Sequence, residues 1–397
     1  MALPIVKISR HGAARLRSGH PWVYRSDLRL NEKPGSGALV TVTAENGRPF
    51  GSALFSSASE IALRLLTPKP LPDEAAMLAV LRNRVKAAIE YRRKVVANSN
   101  AYRVIFSEAD GIPGFIADRY NSIVSVQVLT QAMDRPDVKQ VLISALLEEL
   151  AADGVTSVIE RVEPRIRQLE QLPESKGGFL AGNESSCVYQ MNGINFTYEA
   201  GSGQKTGSFL DQRENYAAAE RHAHGEALDV FCYQGGFAVH LARKCSSVTA
   251  LDSSRPALEV AEQNEQLNPG RTAIGWIEGN AFDFLKDYSA QGREYDTIVL
   301  DPPAFARGKQ NLETAMRGYK ELNLRALKML RRGGILVTCS CSFHVSDQDF
   351  LAVLTAAAAD VHRNVVLLEH RTQSSDHPIL LTVPETHYLK CLIVMVV

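Results

Sequence analysis

The sequence predicts an α/β protein built around a doubly wound, mostly parallel sheet, with two smaller modules ahead of it. Three observations carry this. From about residue 211 the runs ALDVFC, SVTALD, GWIEGN, YDTIVLD and GILVTCS are each followed by a helical pattern, as parallel strands joined by right-handed crossovers require. The last two runs, VVLLEH and YLKCLIVMV, have only a loop between them, which an antiparallel pair allows. The first 70 residues instead show short alternating strands and turn signals.

In chain order, residues 1–70 read as a small β module. GALVTVTAENGRPFGSALF alternates apolar and polar residues around Asn46-Gly47, a strong hairpin signal, and the module is entered through the basic segment RHGAARLRSGHPWVYR. Pro68, Pro70 and Pro72 then mark a linker. Residues 73–197 read as an α+β middle domain. Its first helix puts Met77, Leu81, Val85 and Ile89 on one face and Arg82, Lys86, Arg92 and Arg93 elsewhere. Strands YRVIF and SIVSVQVL, a helix over PDVKQVLISALLEELA, strand VTSVIER and a hairpin turning at Asn192-Gly193 follow. Residues 198–397 hold the doubly wound sheet.

Composition narrows the class. With 45% hydrophobic residues the 397-residue chain can build ordinary cores, and it has no signal-like N-terminus and no run near the length of a membrane span, so a cytoplasmic location is expected. The six cysteines form no CxxC pair, which argues against a structural zinc site or a disulfide framework; no metal is expected. Net charge is zero overall, yet residues 1–103 carry 17 Lys+Arg against 7 Asp+Glu. That surplus makes the N-terminal quarter a candidate surface for phosphate contacts, although a solvated helix would account for part of it.

Ligands of an open α/β sheet sit beyond the carboxyl ends of its strands, so the strand tips hold the candidate site. In LDVFCYQGGFAVHLA the candidates are Asp229, Tyr233, Gly235 and Gly236, a turn that lets backbone pass close to a ligand. Asp252, at the next tip, suits the two hydroxyls of a ribose, and equally a helix cap. Asn280 suits an adenine edge or a turn. In LDPPAFARG, Asp301 and Pro302 make a rigid acidic protrusion. An adenosine site without a diphosphate loop points to S-adenosylmethionine (SAM) rather than NAD. GSGQKTGSFLDQREN lacks P-loop spacing, because Gln204 precedes Lys205.

The strand order, the terminal antiparallel pair and the DPP motif resemble the class I SAM-dependent methyltransferases. Together with HPWVYRSDL, SEADGIPGFIADRY, KTGSFLDQRENY, FCYQGGFAVHLA, RGYKELN and SCS, the whole chain resembles the PUA-domain family of 23S ribosomal RNA 5-methylcytosine methyltransferases, the large-subunit methyltransferase I group. The resemblance implies an RNA-binding PUA-like domain, a middle domain and a Rossmann-like catalytic domain. It implies 23S ribosomal RNA as partner, and places Lys205, Asp211, Gln212 and Arg213 along the cleft for cofactor or RNA. Oligomeric state stays open between monomer and homodimer.

TCSCSFH, residues 338–344, then acquires a purpose. Carbon 5 of cytosine is a weak nucleophile until a thiolate adds at carbon 6, and cysteine serves because its thiolate both attacks and leaves well. Cys339 and Cys341 share a strand face, with Cys341 nearer the cleft, so Cys341 is the expected nucleophile. Asp301 is the expected acid toward ring nitrogen 3. Related families carry a second cysteine where Pro303 stands, which leaves Lys205, His344 or water to remove the carbon 5 proton. Two alternatives remain: methylation of an exocyclic amine, needing no cysteine, and a non-catalytic RNA-binding assembly factor.

Overall fold

In the computed structural model, which describes residues 3–30, 32–200, 207–305 and 311–397, the chain divides into two units. One comprises Met1–Tyr189, Tyr198–Gly207 and Asp376–Thr386; the other comprises Gln190–Thr197, Ser208–Ser375 and His387–Val397.

The first unit opens with β1 (Ile5–Ile8), α1 (Arg10–Arg17), β2 (Trp22–Tyr24), β3 (Leu28–Arg29), β4 (Leu39–Ala44), β5 (Pro49–Phe55) and β6 (Ile61–Thr67). The strands form one sheet in the order β2-β6-β5-β4-β1-β3, antiparallel except for the β1/β4 pair. Asn46-Gly47 turns the β4/β5 hairpin, with Gly47 at φ +84°. The basic entry segment, which carries no helix signal in the sequence, contains α1. Ser9 caps it by accepting from the Gly12 N–H (3.1 Å), and Ala13 and Leu16 anchor it in the core.

Helix α2 (Glu74–Val95) begins where Asp73 accepts from the Ala76 N–H (2.8 Å). Met77, Leu81, Val85 and Ile89 are buried as expected. Arg92 corrects the sequence reading: three positions beyond Ile89, it continues the inward stripe and is fully buried against Asp110. Next come β7 (Ala101–Phe106), β8 (Phe115–Tyr120), β9 (Ile123–Val128), α3 (Gln131–Asp134), α4 (Pro136–Leu150), β10 (Ser157–Glu160), α5 (Pro164–Leu169) and β11 (Gly178–Ala181). These strands make a second sheet, β11-β10-β9-β8-β7, whose face packs with α2 and α4 into one core containing Val85, Val104, Phe115 and Leu142. Strand β8 and the edge strand β11 went unread in the sequence. β12 (Ser186–Met191) and β13 (Ile194–Glu199) pair as a hairpin whose Asn192 and Gly193 both take positive φ, the geometry of an Asn-Gly turn.

The second unit holds α6 (Arg213–His222), β14 (Glu226–Val230), α7 (Gly236–Leu241), β15 (Ser247–Asp252), α8 (Arg255–Gln266), β16 (Ile274–Glu278), α9 (Ala281–Ala290), β17 (Tyr295–Leu300), α10 (Leu312–Met329), β18 (Leu330–Ser340), α11 (Asp347–Asp360), β19 (Val365–Arg371) and β20 (Lys390–Val396). Its seven-stranded sheet runs β16-β15-β14-β17-β18-β20-β19. β14 to β18 are parallel to their neighbours, and β20 is antiparallel to both β18 and β19. Strands β14, β17 and β18 are buried along most of their length toward the tips, as helices covering both faces of a parallel sheet require. The chain winds one way from β14 to β16 and the other way from β17, so the crevice opens beyond the tips of β14 and β17.

Candidate active site

Strand β14 ends in a turn where Phe231 (φ +68°), Tyr233 (φ +49°) and Gly235 (φ +82°) all lie in the left-handed region. Two non-glycine residues in that region are a cost of roughly 1–3 kcal/mol each, tolerated where close approach to a ligand matters. The glycines are sterically obligatory: a Cβ on Gly235 would sit 2.8 Å from Trp276, and one on Gly236 2.5 Å from the Tyr216 ring. Asp252, at the tip of β15, accepts from the Tyr233 N–H (2.9 Å) and the Ser254 N–H (2.9 Å). It thus braces the glycine turn and the start of α8 while its half-exposed carboxylate keeps lone pairs for a ligand. Beneath the turn, Asp229 is wholly buried and neither carboxyl oxygen meets a donor in hydrogen-bonding geometry. Burial, with neighbouring Asp301, pushes its carboxyl well above the usual range, opposed by the Ala238 backbone N–H. Asn280 is exposed, and its side-chain oxygen caps α9 through Phe282 N–H (2.9 Å) and Asp283 N–H (3.3 Å).

Around the tips of β17 and β18 the chemistry changes. Asp301 immediately follows β17, and its backbone N–H donates to Val230 (3.3 Å), tying it to the glycine turn. Burial and the neighbouring Asp211 raise its carboxyl to about 7, opposed by a hydrogen bond from Gln212. Cys341 immediately follows β18, half-buried, with Sγ 4.0 Å from the Pro302 carbonyl oxygen. Burial, Asp301 and Asp211 push its thiol up to about 12. Cys339 is fully buried one position inside the strand end and faces Cys391 across the β18/β20 register. The structure therefore brings Asp211, Gln212, Asp301, Pro302 and Cys341 together. Gln212 is itself fixed, accepting from Asn215 (2.7 Å), and Asp211 accepts a 2.6 Å hydrogen bond from the Tyr388 hydroxyl.

Other sequence candidates fall elsewhere. Arg213 is 2% exposed and pairs with Glu214 (3.2 Å), so it belongs to the floor of the site. His344 sits edge-on to Phe343 (5.4 Å) and makes no hydrogen bond to the thiol among the described residues. Lys205 lies outside the described residues. The sequence reading missed Tyr388 and Lys390 at the entrance to β20. Lys390 is 3% exposed and donates to the Ser342 carbonyl (2.7 Å), immediately beyond Cys341. Its one sequence signal is a lysine at the start of an otherwise apolar strand.

Glycine turn, braced acid and buried carboxyl fit an adenosine-bearing cofactor, and the fold supplies the crevice for it. These features define a SAM-dependent methyltransferase. Residues 114–381 match the S-adenosylmethionine-dependent methyltransferase family, and residues 6–68 match the PUA-like domain family. Ribosomal RNA large subunit methyltransferase I of Shewanella amazonensis is 34% identical over 385 residues, 95% of each chain. The protein of the same name from Tolumonas auensis is 35% identical over 384 residues, covering 94% of this chain and 95% of its own. A methyltransferase crystallised with S-adenosylhomocysteine shares the fold, with TM-score 0.83 and 17% identity over 99% of this chain and 100% of that one. A second, from Streptococcus mutans, does so with TM-score 0.81 and the same identity and coverage. The chain belongs to the ribosomal RNA large subunit methyltransferase I family.

Proposed function

We propose that the protein methylates carbon 5 of a cytosine in large-subunit ribosomal RNA through a covalent bond between Cys341 and carbon 6. The observation that carries this is one cluster: a half-buried thiol at the tip of β18, against the Pro302 carbonyl, beside an acid that keeps its proton near neutrality. Bound SAM supplies the electrophilic methyl group. Asp229, Gly235, Gly236, Asp252, Asn280 and Tyr233 would hold its adenosine side, with Asp301 and Pro302 toward the methyl group it would supply.

Cys341 gives up its thiol proton to water, its thiolate Sγ adds to carbon 6, and the electrons of the carbon 5–carbon 6 double bond move into the ring. Protonated Asp301 donates to ring nitrogen 3 and takes up the developing charge. Carbon 5, now enamine-like, acquires the methyl group. Loss of its proton to water restores the double bond and expels the thiolate, and Asp301 recovers a proton from nitrogen 3. Because Asp301 must carry a proton while Cys341 must lose one, kcat/KM rises with pH up to about 7 and levels off above it.

The rRNA substrate is supported by the names of the relatives and by the PUA-like match. A groove of about 490 Å³ in the first unit, lined by His11, Arg15, Ser18, His20 and Thr382, offers hydrogen-bond donors for RNA. A ribosomal RNA substrate would be met in the cytoplasm.

The test is a denaturing gel of ribosomal RNA carrying 5-fluorocytidine after incubation with enzyme and SAM. Fluorine cannot leave as a proton, so the adduct is trapped. A protein–RNA band that disappears in Cys341→Ser and persists in Cys339→Ser is the expected result. Methylation of ordinary RNA with no adduct overturns the thiolate mechanism and favours transfer to an exocyclic amine.

A further inference from the structure

The ammonium of Lys390 donates to two neutral carbonyls, Ser342 (2.7 Å) and Tyr388 (3.0 Å), and it is 3% exposed. No carboxylate lies within ion-pair distance of it among the described residues. A buried charge without a counter-ion is unfavourable by several kcal/mol, and an apolar residue would continue the CLIVMV run of β20 without that penalty. Its position explains its presence, since the carbonyl it grips belongs to the residue that follows Cys341. We propose that Lys390 is a positioning residue for Cys341: it fixes the turn that carries the sulfur and supplies the positive charge that balances the thiolate when it forms. This rests on the assignment of Cys341 as nucleophile.

The charges around Cys341 make the need concrete. Asp301 faces it from the tip of β17 and Asp211 from the segment before α6, and both oppose ionisation of the thiol. Cys339 lies behind it on β18, and Tyr319 of α10 bonds the Ser342 hydroxyl (3.0 Å). From β20, Lys390 acts in the favourable direction, while Asp347 of α11 stabilises the ammonium. Burial lowers Lys390 below the usual lysine range, so at alkaline pH it loses its charge where the thiol needs it.

Alkylation of Cys341 by iodoacetamide, followed by mass spectrometry of its peptide across pH 7–11 in the full-length protein, reads the thiolate directly without RNA. Lys390→Gln keeps a hydrogen-bond donor and removes the charge; its rate at pH 9 should fall about tenfold, one unit in thiol pKa. Lys390→Arg keeps the charge at every pH, so its profile should move to lower pH than wild type. A structural role predicts no opposed shifts. Coincidence of either profile with wild type overturns the proposal, and each variant decides alone if the other does not fold, as judged by its thermal melt. The 5-fluorocytidine gel scores Cys341 itself, so a wild-type adduct with unmoved alkylation profiles refutes Lys390 alone.

Discussion

The buried charges of the first unit and those beside the strand tips of the second are handled in opposite ways. In the first unit they are matched: Arg92 is fully buried and forms a two-pronged pair with Asp110 (2.8 Å on one side), and Arg103 does the same with fully buried Asp118 (2.7 and 2.8 Å). Beside those tips, among the described residues, Asp229 has no cationic partner, Asp301 has a second acid as neighbour, and Lys390 has no carboxylate within ion-pair distance. Paired charges hold a fold in register, whereas unpaired ones store free energy that a ligand or reaction can use. The contrast separates scaffold from site without reference to any motif.

The largest expected effect breaks the contrast at the nucleophile. Cys341→Ser should reduce tritiated methyl incorporation into rRNA by at least about 10³-fold, while Cys339→Ser, a change within the strand, should leave most of the activity. Arg92→Ala should act on stability instead: it strands Asp110 and should cost about 3–5 kcal/mol in urea unfolding. Asp229→Asn removes an acid with no partner to lose, so stability should hold or rise at pH 7 while SAM affinity falls, measured by calorimetry. Asp301 adds a pH signature. Its carboxyl is raised in the folded state, so the native protein keeps a proton that the unfolded chain releases, and stability declines as pH climbs from about 4 to about 7. Asp301→Asn should flatten that decline in denaturation midpoints taken across this range.

Much of the sheet was legible because burial on both faces writes strands such as Lys390–Val396 as nearly continuous apolar runs, and the strand tips then indicated Asp252, Asp301 and Cys341. Helix α1 was hidden because RHGAARLR offers one large apolar residue and a glycine; its capping serine and tertiary packing sustain it. Arg92 was misplaced because a charged residue at an inward helical position reads as solvent-facing until its partner is known. Lys390 could not be found from the motif at all. It lies 48 residues from Ser342, and only the antiparallel insertion of β20 beside β18 brings its ammonium to that carbonyl.

The smallest effect extends the same rule to the surface, where the basic surplus of the first 103 residues lies. Several of those arginines are already committed: Arg64 pairs with Glu170 (3.3 Å) and Arg82 with Glu148, whereas exposed Arg10 has no ion pair among the described residues. If RNA docks on this surface, each free cation that contacts a phosphate releases counterions, contributing about 0.7–0.9 to the slope of log affinity against log salt. Arg10→Ala should weaken rRNA binding a few-fold and lower that slope by about that amount, with SAM affinity unchanged. Arg82→Ala, equally exposed to solvent but already paired, should leave the slope as it is. Filter binding at a series of salt concentrations distinguishes the two, and equal slopes for both variants would mean that pairing does not decide which surface arginines meet RNA.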